Sequence, residues 1–207
     1  MLDSSPNVEP APILVIACGA LSHEIQYLKI LNGWNHIRLQ CLDADLHNTP
    51  KQIPAILRDM IHRYRDEYNN IFVAYADCGT GGAIDRLLEE EGIERLPGAH
   101  CYSFYVGEQR FNQLANEEPG TFYLTDFLAK HFDRLIIKGL KLHLYPQLRD
   151  DFFGNYRRVV YLSQRQENSL IEAAREAADF LQLEFEHLPC GYGDLETGLK
   201  AQVIAFG

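Results

Sequence analysis

Three times within the first 95 residues a short strand-like run gives way to a segment of helical spacing. Ile13-Leu14-Val15-Ile16-Ala17 precedes Ala20 to Leu31, where Leu21, Ile25 and Leu28 fall on one face. Ile37 to Leu42 precedes Lys51 to Tyr68, with Ile53, Ile56, Leu57, Met60, Ile61 and Tyr64 at helical intervals. Ile71-Phe72-Val73-Ala74-Tyr75 precedes Ala83-Ile84-Asp85-Arg86-Leu87-Leu88. The unbroken apolar runs Ile13–Ala17 and Ile71–Tyr75 suit strands covered on both faces, the usual condition of a parallel sheet. Strands alternating with helices over short connections predict an α/β fold, a parallel-sheet, Rossmann-like core with flanking helices.

The rest of the chain is read in the same way. The segment 96–156 is aromatic-rich and poor in strand signals, and is read as helical, with helices over Gly107–Asn116, Thr125–Ile137 and Tyr145–Phe153. Thr121 to Leu128 also has the composition of a strand, but Thr125-Asp126 is a helix-start signal and the helical reading is preferred. Val159 to Leu162 and Leu183 to Leu188 are read as strands on either side of an alanine-rich amphipathic helix, Ser169 to Leu183. Gly193 to Gln202 closes as a helix, with Val203 to Phe206 as an edge strand. The expected organisation is a flexible lead over 1–12 and one α/β domain over 13–207. Lobes over 13–95 and 157–207, joined by the helical segment 96–156, are one arrangement of it.

Composition narrows the partners. The 207 residues carry a net charge of −10 and a pI near 5.2, which argues against nucleic-acid binding through a basic surface. No apolar run approaches the roughly 20 residues of a membrane span. Residues 1–12 have neither a basic stretch nor an apolar one, so no secretory signal is read and a cytoplasmic location is expected. Five cysteines, an odd number, then read as reduced thiols rather than a disulfide framework.

The chemistry gathers at those thiols. Cys18-Gly19, Cys78-Gly79 and Cys190-Gly191 each follow a strand-like run. In a parallel sheet the carboxyl ends of the strands share one rim, and ligands bind there. His100-Cys101 follows the third helix and is in reach of the same rim. Cys18, Cys78, Cys101 and His100 are therefore the candidate ligands of zinc or another transition metal. No C-x-x-C spacing supports a zinc ribbon, and Cys41, inside a strand-like run, reads as a packing residue. A metal-free alternative makes Cys78 a nucleophile, with His100 as base and Asp77 beside it. Gly79, Thr80, Gly81 and Gly82 stand at a helix start, where backbone N–H groups favour the anionic part of a small-molecule substrate or cofactor. They match neither a phosphate-binding P-loop nor the G-x-G-x-x-G dinucleotide spacing. His47, in the polar loop after the second strand, is the best placed of the other histidines. Whether it or Cys190 joins the site is left open.

Several of these segments together carry a resemblance. They are Ala17-Cys18-Gly19-Ala20-Leu21, Asp77 to Gly82, His100-Cys101-Tyr102, Phe122 to Leu128 and Tyr161-Leu162-Ser163-Gln164. In them the chain resembles the bacterial and archaeal domain of unknown function numbered sixteen thirty-eight, over nearly its whole length after residue 12. Members of that family often occur beside corrinoid-dependent methyltransferase systems. By association, the resemblance implies a role in methyl transfer or corrinoid handling, with a corrinoid protein or a methyltransferase as partner. A non-catalytic accessory role in such a system is the third reading.

Overall fold

A computed structural model describes residues 11–206. Most of the expected flexible lead, residues 1–10, lies outside the described residues. The first three strands are β1 (Ile13–Cys18), β2 (Ile37–Leu42) and β3 (Asn70–Ala74), with α1 (Ser22–Leu31), α2 (Ile53–Tyr64) and α3 (Ala83–Glu91) following each in turn. Then come α4 (Glu108–Glu117), β4 (Thr121–Thr125), α5 (Asp126–Lys130) and α6 (Leu148–Phe153). The chain closes with β5 (Arg158–Ser163), α7 (Asn168–Leu181), β6 (Glu184–Pro189) and α8 (Gly193–Phe206).

The strands form two parallel three-stranded sheets, ordered β2-β1-β3 and β4-β5-β6. The α/β reading therefore holds. All six residues of β1 are buried, as its unbroken apolar run requires of a central strand. In β5 the two faces serve different neighbours. Val159 and Tyr161 join the core that packs against α7, while Val160 and Leu162 pack against Phe111 and Leu114 of α4. Helix α7 meets that first face with Leu170, Ala174, Ala177, Ala178 and Leu181, the spacing of one helical stripe.

Two readings of the later chain are corrected. Thr121 to Leu128 divides instead of forming one helix: Thr121–Thr125 pairs with β5, and Thr125 then caps α5 by accepting the Leu128 N–H at 3.4 Å. The helix-start signal was real, but the residues before it form a strand. Val203 to Phe206 is not an edge strand but the end of α8. Leu195 and Leu199 are buried in the core of the first sheet, and Val203 and Phe206 pack against it, so the helical stripe runs through the whole segment. The last helix thus lies on the first sheet, beside β3 and the turn Cys101–Tyr105.

Candidate functional site

The site stands on the carboxyl rim of the first sheet. β1 ends in Cys18, β2 runs into the helical turn Ala44–Asn48 that carries His47, and β3 leads through Tyr75-Ala76-Asp77 to Cys78. The fourth contributor is held beside β3 by backbone. The N–H groups of Asp77 and Cys78 donate to the carbonyls of Gly98 and Ala99, at 3.1 and 2.8 Å. That pairing delivers Cys101 to the rim, where the Ala76 N–H donates to its sulfur at 3.4 Å. Cys78 takes a left-handed backbone conformation, φ 46°, to make the turn.

Three thiols meet here. Cys78 Sγ and Cys101 Sγ are 3.3 Å apart, and Cys18 lies close enough to Cys101 for each to shift the other's thiol. All three cysteines are buried. Cys101 stands between the other two: its neighbours Cys18 and Cys78, together with burial, hold its own thiol well above the usual range. The bond from Cys101 brings Cys78 down to about 5 against the opposing effect of burial, with the hydrogen bond and charge of His47 adding to it. Cys18 is lowered by the same donor, again against burial. His47 is raised by its bond to Cys78. Its side chain is exposed, so the cluster has one polar face open to solvent.

Beside the cluster lies a cavity of roughly 260 Å³. Cys18, Cys101 and His47 stand on its wall, and Tyr102, Tyr105, Phe122, Tyr123, Phe127 and Tyr156 make the rest of it strongly aromatic. Phe122 and Tyr123 come from β4, so the cavity is shared between the two sheets. Tyr105 and Tyr123 each bury a hydroxyl that finds no hydrogen-bond partner among the described residues.

The other residues read from the sequence divide. His100 does not hydrogen-bond the thiols. Its ring stacks on Tyr102, with centroids 5.0 Å apart, and its Nδ1 is buried without a partner. Burial lowers its pKa. Asp77 is a loop clamp. It accepts the Thr80 hydroxyl at 2.6 Å and the N–H groups of Gly81 and Gly82 at 3.1 and 2.7 Å. Burial opposes ionisation, but those three bonds and the Arg95 charge hold its carboxyl below the usual range. The Gly81 and Gly82 N–H groups assigned to an external anion are thus turned toward a carboxylate of the chain itself. Cys190 sits at the rim of the second sheet, where its thiol donates to the Ser163 carbonyl at 3.3 Å and burial pushes it up to about 12. Burial likewise pushes Cys41 up to about 11.

Among the described residues, no group of three or more His, Cys, Asp and Glu side chains is already arranged to hold a metal ion. The three cysteines are free and buried, with Cys78 and Cys101 in direct contact. Among the same residues no helix is long and apolar enough to cross a membrane.

Comparisons with curated proteins and with solved structures found no match. A family model does match, over residues 41–199. That span holds His47, Cys78, His100 and Cys101; Cys18 lies before it. The match covers most of the chain, which belongs to the family described as protein of unknown function DUF1638.

Proposed function

We propose that the chain binds a zinc ion, or another thiophilic transition metal, through Cys18, Cys78 and Cys101, with His47 rather than His100 as the fourth donor. The observation that carries this reading is the 3.3 Å contact of the buried, unbridged Cys78 and Cys101 thiols, with buried Cys18 and the His47 imidazole brought beside them from separate segments. Zinc–sulfur bonds of about 2.3 Å at tetrahedral angles separate two sulfurs by about 3.8 Å. Cys78 and Cys101, at 3.3 Å, need to part by only about half an ångström to accept the ion. A bound metal would hold the sulfurs as thiolates and position one of them, or a substrate, beside the aromatic cavity. The substrate would be a small molecule, and the setting cytoplasmic one-carbon metabolism linked to corrinoid-dependent methyl transfer. That last assignment rests on the company the family keeps.

Metal analysis of untagged protein purified without oxygen tests the centre. The expected result is close to one metal per chain, lost in Cys78→Ser and reduced in His47→Ala. Metal-free wild type, or unchanged content in Cys78→Ser, would overturn it.

A second reading, Cys78 as a metal-free nucleophile, is favoured by its contact with Cys101 at the β3 turn and by the direction of the shifts, which lower the Cys78 thiol and raise the His47 imidazole beside it. In metal-free protein it predicts rapid alkylation of Cys78 near pH 6, slowed at least tenfold by His47→Ala. Equal, slow alkylation of all five cysteines would exclude it.

A further inference from the structure

The thiol cluster has a chemical capacity that needs no metal. Cys101 touches Cys78 at 3.3 Å, and Cys101 and Cys18 stand together on the wall of the aromatic cavity. A disulfide bond is about 2.05 Å long, so closure of Cys78 on Cys101 shortens their 3.3 Å contact by about 1.3 Å. The pair joins a residue after β3 to one 23 positions later, through two loop segments and not through rigid strand interiors.

We propose that the cluster is a dithiol centre that reduces small apolar organic disulfides admitted to the cavity, and that Cys101 is the sulfur common to every closing route. In the first step a wall sulfur, the Cys18 thiolate or Cys101 once it has passed its proton to the Cys78 sulfur 3.3 Å away, attacks one sulfur of the bound disulfide. The substrate S–S bond breaks, its electron pair leaves with one thiolate, and a mixed protein–substrate disulfide forms. In the second step a neighbouring cluster thiol attacks the protein sulfur of that mixed disulfide, passing its proton to the departing substrate thiolate. Two cysteine thiols are oxidised to one intramolecular disulfide, and one substrate disulfide is reduced to two thiols. The wall selects the substrate: Tyr102, Tyr105, Phe122 and Phe127 suit a flat apolar molecule and disfavour a multiply charged peptide disulfide. This activity shares the thiols of the metal reading but not the metal.

The probe is 4,4'-dithiodipyridine, applied without oxygen to metal-depleted full-length protein, followed by alkylation and a non-reducing peptide map. The expected product is an intramolecular disulfide containing Cys101, formed at least tenfold faster than with oxidised glutathione once each rate is divided by that of the urea-unfolded chain. In Cys101→Ser a cluster cysteine should remain as the mixed thiopyridyl disulfide, without closure. Mixed disulfides that persist in the native wild type overturn the proposal, as does closure between Cys18 and Cys78 in Cys101→Ser. Equal normalised rates for the two probes overturn the substrate assignment. The wild-type map stands even if the variant fails to fold. Metal content measured separately keeps the two readings apart. A chain that closes the disulfide but holds no metal loses only the metal reading; one that holds metal but does not close loses only this one.

Discussion

Asp126, the first residue of α5, accepts the hydroxyl of Tyr161 from β5 at 2.7 Å, with both residues buried. The same carboxylate takes the N–H groups of Gln164 and Arg165 at 3.1 and 3.0 Å and the Arg165 guanidinium at 3.3 Å. Its own N–H donates to the Gln164 side chain at 2.9 Å. One buried charge therefore ties the exit of β4 to the exit of β5. In Asp126→Asn an amide would present two donors to this ring of donors, so urea unfolding should show a loss of roughly 2–4 kcal/mol. Tyr161→Phe removes a single bond and should cost closer to 1 kcal/mol. Equal losses would mean that the hydroxyl, not the charge, organises the corner.

Glu24 predicts a pH effect of defined sign. It is only 2% exposed, and its Oε2 has no partner. Burial first, then the charge of Asp126, raises its carboxyl from 4.5 to about 7, with its own backbone N–H and Arg165 opposing the rise. A folded-state pKa above the unfolded one favours folding at low pH, and that advantage disappears as pH rises from about 4.5 through about 7. Glu24→Gln, neutral at every pH, should therefore be more stable than wild type at pH 8, by roughly 2–3 kcal/mol. The gap should close by pH 4. Melting curves at the two pH values check it, and a gap independent of pH would refute the buried charge.

Asp77 gives the opposite sign. Its carboxylate, held below the usual range, stabilises the fold above about pH 3.8 and loses that contribution as pH falls through its folded-state value. Asp77→Ala releases the Thr80 hydroxyl and two glycine N–H groups, for a cost of roughly 1–2 kcal/mol at pH 7 that shrinks in acid. Denaturant titrations of both chains at pH 7 and pH 3 measure the difference.

Two nearby glycines make a controlled comparison. Gly191 and Gly193 both have positive φ, at 66° and 45°. A Cβ at Gly191 meets nothing within 4 Å, whereas one at Gly193 collides with the carbonyl oxygens of Tyr105 and Phe104, the latter at 2.6 Å. Gly191→Ala should cost about 1 kcal/mol in backbone strain alone. Gly193→Ala should cost at least twice that and should alter the environment of Tyr105, read by near-ultraviolet circular dichroism.

Much of the fold could be read because burial on both faces writes itself into β1 and β5 as unbroken apolar runs. β4 was harder. At five residues it is short, and the cap that opens α5 dominates its sequence signal. The approach of Cys18, Cys78 and Cys101 was legible, since the carboxyl ends of parallel strands share a rim wherever they lie in the chain. Which imidazole stands beside them was not. His100 precedes Cys101 in extended backbone, φ −139° and ψ 142°, so successive side chains point to opposite sides. With Cys101 turned to the cluster, His100 turns away onto Tyr102. His47 carried a usable signal in its place after β2, but only the observed order β2-β1-β3 makes that loop a neighbour of Cys18. No spacing rule marks Asp77 as a clamp for its own glycines. The pattern also fits an anion site.

The docking of α8 on the first sheet carries a consequence for biosynthesis. Leu195 and Leu199 complete a core that otherwise comes from residues 13–105. A ribosome that has released β1, β2 and β3 has not yet supplied that cover, and the Cys101–Tyr105 turn waits without its neighbour while the second sheet is made. A nascent chain arrested at residue 190 should therefore expose the flank of its thiol cluster to protease and alkylating reagent. One arrested late enough to free residue 206 should not.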